Sequence, residues 1–118
     1  MNIYKWRRVF GVDYAPGEPV WDLVLSGMAH DRSSKRDAMP SFGIDDSGVE
    51  LRIFFGHRDP GRRTPRGPRY RVVLYDDNKR RMLASESHDD PAKAARAYRH
   101  LLDRYARIVA NYRQETRR

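Results

Sequence analysis

With 118 residues, 39% hydrophobic and 34% charged, the chain has material for one domain with a modest core and too little for two. The absence of cysteine excludes a disulfide framework and thiolate metal sites, and no run approaches the ~20 apolar residues of a membrane span. A formal charge of +8 and a pI near 10.2 favour polyanionic partners, nucleic acid first and an acidic protein second.

Residues 3–10 alternate and predict a first strand, with Ile3 and Val9 on one face and Tyr4, Trp6, Arg8 and Phe10 on the other. This stretch lacks the apolar segment of a secretory signal, so a cytoplasmic location is expected. After a Gly- and Pro-rich turn, residues 20–28 predict a second, central strand carrying Val20, Val24 and Met28 against Trp21, Leu23 and Leu25. Residues 29–48 shift to Asp, Arg, Ser, Lys and Gly and predict a flexible loop, with disorder over residues 32–37.

Residues 49–56 give the cleanest strand, Val49, Leu51, Ile53 and Phe55 alternating with Glu50, Arg52 and Phe54. Residues 57–68 hold Pro60, Gly61, Pro65, Gly67 and Pro68 and predict a second flexible loop. Residues 69–75 resume the alternation. Asp76, Asp77 and Asn78 predict a hairpin turn, and residues 80–87 the return strand.

Residues 90–114 predict a long helix. Asp90 is placed to cap it, Pro91 lies where a missing N–H costs nothing, and Ala94, Ala97, Tyr98, Leu101, Leu102, Tyr105, Ile108, Val109 and Tyr112 form one apolar stripe. Lys93, Arg96, Arg99, Arg104, Arg107 and Arg113 fall on the other side, and the tyrosine series can run past the sheet edge as a dimer stripe. The fold expected is α+β, a single domain with an antiparallel meander sheet of four to five strands and one long C-terminal helix packed on one face. Ile3, Val49, Leu51, Ile53, Phe55, Tyr70, Val72, Leu74 and Met82 are the expected core partners of the helix.

That assignment leaves Tyr4, Trp6, Arg8, Arg52, Phe54, Arg71, Val73 and Tyr75 on the far face. Aromatics interleaved with arginines suit a single-stranded nucleic-acid platform, because bases stack on rings while guanidinium groups take phosphates. Tyr4, Trp6, Phe54 and Tyr75 are the candidate stacking or interface residues. The loop with Arg58, Arg62, Arg63, Arg66 and Arg69 is a second candidate, for contact with a phosphate backbone.

Residues 70–74, the hairpin, Arg80-Arg81-Met82-Leu83-Ala84-Ser85 and Pro91-Ala92-Lys93-Ala94-Ala95-Arg96-Ala97-Tyr98 together resemble the plant ethylene-response-factor DNA-binding domain, and more distantly the arm-binding domains of phage integrases. The resemblance covers about residues 49–105. It implies a three-stranded sheet presented to the DNA major groove, with Arg69, Arg71, Arg80 and Arg81, and Arg66 in the preceding loop, as contact residues. Met82 stands where the family has a tryptophan.

Catalysis is not expected. His30, His57, His88 and His100 have no metal-ligand spacing, and Asp45 and Asp46 read as turn residues, since the lysine of a nuclease strand is missing. No catalytic, metal or cofactor-binding residue and no cofactor are assigned. The leading expectation is a non-enzymatic nucleic-acid-binding protein, DNA ahead of RNA, contacting phosphates through Arg58, Arg62, Arg63, Arg66, Arg69, Arg71, Arg80 and Arg81. The alternative is a protein-interaction module, an inhibitor or adaptor that docks on an acidic partner or forms a homodimer, with the aromatics as its hot spot.

Overall fold

A computed structural model describes residues 5–34, 37–63 and 67–116. Its centre is β3 (Val49–Phe55) and β4 (Tyr70–Asp76), where the alternation read from the sequence is realised: Val49, Leu51, Ile53, Phe55, Tyr70, Val72 and Leu74 are all buried on one face. Fully burying one such side chain is worth about 1.5–3 kcal/mol relative to exposure. β2 (Ser41–Asp46) and β5 (Arg81–His88) flank this pair, and β1 (His30–Asp31) adds a two-residue edge, giving a five-stranded antiparallel meander in chain order. The β2–β3 turn has positive φ at both central residues, Ser47 (52°) and Gly48 (78°), the primed geometry that matches strand twist.

The helix α3 (Pro91–Thr116) lies across the buried face. At 26 residues it is about 39 Å long. Asp90 caps it, accepting from the Lys93 amide at 3.0 Å. Ala94, Ala95, Ala97, Tyr98, Leu101, Tyr105 and Val109 are buried against the sheet. The tyrosines do not run past its edge: Tyr98 donates to the Met28 carbonyl at 2.8 Å, and Tyr112 donates to Asp76 at 2.5 Å.

Two predicted strands are helices. Residues 20–28 contain α2 (Glu18–Leu25), whose Val20 and Leu23 are buried. Gly17 and Pro19 begin it, and the Schellman bond Met28 N to Leu23 O (2.9 Å) ends it, with Gly27 at φ +78°. Residues 5–10 form α1 (Lys5–Phe10), its Trp6 amide capped at 3.0 Å by Asp31 Oδ2, a carboxylate 25 residues away. A cap so distant leaves no local signal. Ile3 and Tyr4, expected on this strand, lie outside the described residues.

The predicted flexible loop 29–48 contains β1 and β2. Within the stretch expected to be disordered, Ser33 is buried and its hydroxyl accepts from the Ser41 amide at 3.0 Å; residues 35 and 36 lie outside the described residues. Met82 does not join the core. A bulge between Leu74 and Tyr75 pairs Leu74 with Ala84 but Tyr75 with Met82, so Met82 is carried to the opposite face, 54% exposed.

Asp76 anchors the far end of the core. It is buried and accepts from Tyr112, the Asn78 amide (3.0 Å) and Asn78 Nδ2 (3.2 Å). Burial pulls its pKa upward, but hydrogen bonds from Tyr112 and Asn78 outweigh that and hold it below the usual carboxylate value. A depressed folded pKa contributes stability that is complete above the unfolded pKa, about 3.9, and is lost as pH falls through the folded value. Asp76→Ala should therefore cost about 1–3 kcal/mol at neutral pH, through donors left without an acceptor. In urea denaturation the gap from the parent chain should narrow as pH falls below about 4.

Candidate nucleic-acid interface on the open sheet face

Because α1, α2 and α3 all pack on the core side, no described helix covers the other face of the sheet. Register makes its surface readable row by row. Phe54 lies opposite Arg71, Arg52 opposite Val73, and Glu50 opposite Tyr75, with Met82 beside Tyr75 on β5. Ser87 and Ser85 extend the first two rows, and Ser41 and Gly43 bound them on β2. Phe54 and Tyr75 are half-buried and separated along the strands by roughly 13 Å, four residues at the strand rise.

Electrostatics on this face are uneven. Arg52 Nη2 lies 3.1 Å from Glu50 Oε1, and its guanidinium stands 5.9 Å from the Phe54 ring centroid. Gly43 opposes Arg52 across the β2–β3 ladder, and a Cβ there would stand 2.3 Å from the Leu51 carbonyl oxygen and 3.0 Å from Arg52 Cγ, so glycine is what lets the two backbones approach this closely. Arg71 is exposed and has no ion-pair partner among the described residues. Met39, Phe54, Val73, Tyr75 and Met82 make the intervening groove largely apolar, with Glu50, Arg52 and Arg71 at its margins.

The arginine loop is arranged differently from the expectation. Arg69 is buried, 7% exposed, and its guanidinium donates to the carbonyls of Gly56 and Ala15 while resting 4.9 Å from the Tyr70 ring. Burial pulls its pKa down from the ordinary guanidinium value, though an arginine stays charged. Arg63 is also turned inward, its side chain 11% exposed, donating to the carbonyl of His57 (2.7 Å) and to Asp89 (3.4 Å). Arg58 is exposed but lies 3.1 Å from Asp13, and Arg62 is 4.0 Å from Asp59. Arg66 lies outside the described residues.

These bonds tie the described part of the loop down. The Arg58 amide donates to Asp13 O, and His57 Nδ1 accepts from the Asp59 amide, both at 2.9 Å. Arg63 and Arg69 are thus fastenings of the β3–β4 connection and unavailable to phosphate. Trp6, expected on the open face, is buried edge-on to Trp21 (6.1 Å) and Phe55 (6.0 Å). Tyr4 lies outside the described residues. Arg80 and Arg81 are exposed at the β4–β5 hairpin, Arg80 at φ 48°.

Of the candidates, then, the structure brings together Phe54, Tyr75 and Arg71, joined by Arg52. Met39, Met82 and Gly43 complete the face and went unrecognised in the sequence. For Gly43 the serine–phenylalanine–glycine–isoleucine alternation of residues 41–44 was a usable strand signal. For Met82 none existed, because a bulge is not written in the alternation. Among the described residues no three histidines or carboxylates are grouped as metal ligands, and no helix is long and apolar enough to cross a membrane. No protein family matches the chain, and neither a curated protein nor a solved structure is recognisably similar to it.

Arg69, just before β4, and Arg71 within it should separate cleanly in stability measurements. Arg69→Ala removes the charged donors to the Gly56 and Ala15 carbonyls and should lower the unfolding free energy by on the order of 3 kcal/mol. Arg71→Ala should leave it within about 0.5 kcal/mol of the parent chain. Urea titrations of both variants check this.

Proposed function

We propose that the protein binds single-stranded nucleic acid on the open face of its sheet, without catalysis, the bases stacking on Phe54 and Tyr75 and the phosphates meeting Arg71 and Arg52. The observation that carries this reading is the Phe54 row, in which the ring lies opposite Arg71 and 5.9 Å from the Arg52 guanidinium, with Tyr75 on the same face opposite Glu50. A stacked base contributes about 1–3 kcal/mol whatever its identity, so the contact is expected to be tolerant of sequence. The net charge of +8 adds an attraction that salt screens.

The resemblance of residues 49–105 to the ethylene-response-factor plan would make the arginines of the strands and the preceding loop its contacts. The arginine contacts of that plan are only partly free here, since Arg69 is spent internally. This favours the sheet face over the loop as the binding surface, and single strands over base reading in a major groove.

A second reading is supported by Met39, Val73 and Met82, which give the same face an aliphatic lining suited to a protein partner or a second copy of the chain. In that case the arginines are rim charges and the rings a hot spot.

Fluorescence anisotropy with a labelled oligothymidylate tests the first reading. Phe54→Ala and Tyr75→Ala should each weaken binding by about 1–3 kcal/mol, and Arg71→Ala should reduce the slope of log affinity against log salt by about 0.7. A parent chain that does not bind at low salt removes the proposal. Sedimentation velocity then addresses the second reading: a dimer that dissociates on Met82→Lys assigns the face to self-association.

A further inference from the structure

The exposed side of α3 is the longest row of exposed cations among the described residues, and the open sheet face does not account for it. Lys93, Arg96, Arg99, Arg104 and Arg107 are all exposed, and His100 stands among them. None of these five cations is in an ion pair among the described residues, and only Arg104 spends a donor internally, on the Leu83 carbonyl at 3.3 Å. Arg113 does not belong to the row, since it pairs with Asp46. A helix face that serves only solvation commonly mixes acids and bases at i,i+4, a spacing that this ridge uses only between Asp103 and Arg99 or Arg107. Here one acid, Asp103, interrupts the row.

We infer that this ridge is a second nucleic-acid contact, for the phosphate backbone of a duplex, on the opposite side of the molecule from the open sheet face. The three tyrosines of α3 are turned to the sheet, so the ridge offers no ring on which a base could stack, and its contact is with phosphates alone. From Lys93 to Arg107 the ridge is about 21 Å long at the helical rise. A duplex presents a phosphate every ~1.7 Å of axis, the densest rigid line of negative charge such a ridge can meet. The inference stands on α3 alone and does not require the single-strand reading of the sheet face. With both faces occupied, the protein joins a single strand to a duplex.

The test uses the full chain and a triple variant, Arg96→Gln with Arg99→Gln and Arg107→Gln, whose circular dichroism should match the parent because all three side chains are exposed. Binding to a labelled mixed-sequence duplex is measured between about 50 and 200 mM salt, the range over which several phosphate contacts are strongly attenuated. The triple variant should bind the duplex at least about tenfold more weakly at the low end, with a log–log salt slope reduced by about 2.7 for three lost phosphate contacts. It should keep the parent's affinity for oligothymidylate. The Phe54→Ala, Tyr75→Ala variant should do the reverse, losing the single strand and keeping the duplex. Duplex binding unaffected by the triple substitution, or lost with the two rings instead, overturns the inference. So does a parent chain that ignores duplex at low salt, or polyglutamate competing as well as duplex at equal charge.

Discussion

Everything on the surface of this protein follows from how α3 is fastened to the sheet. Its apolar stripe alone would allow sliding along the strands, since small alanines and large tyrosines succeed one another over 26 residues. Two tyrosine hydroxyls fix its position. Tyr98 reaches the carbonyl of Met28 just past α2, and Tyr112 reaches Asp76 at the end of β4. Both hydroxyls come from the buried face of the helix, and burial pushes Tyr98 well above its ordinary pKa, which keeps it a neutral donor. The helix is thus pinned at two points seventy and thirty-six residues away in sequence.

With one face of the sheet taken by α3, the N-terminal helices have only the remaining core surface to occupy. Trp6, Trp21, Phe42 and Phe55 form a continuous aromatic cluster there, with ring centroids 4.7–6.1 Å apart. Gly17 lets the start of α2 come against Pro91, where a Cβ would stand 2.8 Å from the proline ring, and its amide donates to the Tyr70 hydroxyl. All three helices are therefore on one side. The chain's own described elements leave the opposite face uncovered, which is why Phe54, Val73 and Tyr75 are only half-buried although Ile53, Phe55, Val72 and Leu74 beside them are fully buried.

What could be read in advance was what depends on local period. The alternation of residues 49–55 and 70–75, the aspartate and proline at the start of α3, and its three-and-four spacing each specify one outcome, and these elements stand where the pattern put them. The first third of the chain failed for a physical reason. In Val20, Trp21, Leu23, Val24 and Leu25 apolar residues are so dense that period two and period 3.6 both fit, and Pro19 with Gly27 was the better guide. α1 depends on Asp31, which no local pattern could announce. The candidate face was legible in its β3 and β4 residues, while Met82 depended on the bulge and Trp6 on the helix that took it inside.

The arginines were harder to read, because a charge count does not say which charges are already spent. Much of the chain's acid is committed to backbone amides: Asp31 to Trp6 and Ser33, Asp59 to Gly61, Asp76 to Asn78, Asp89 to Arg69, Asp90 to Lys93. A carboxylate that caps an amide gives up part of its capacity to accept from a guanidinium. Arg63 and Arg69 compete successfully by reaching carbonyls instead, at positions where the β3–β4 connection needs donors. Among the cations left over are several that stand on regular elements, Arg71 on β4 and Arg96, Arg99 and Arg107 on α3. Part of the chain's surplus of +8 is thereby carried by Arg71 on the sheet face and by the exposed side of α3.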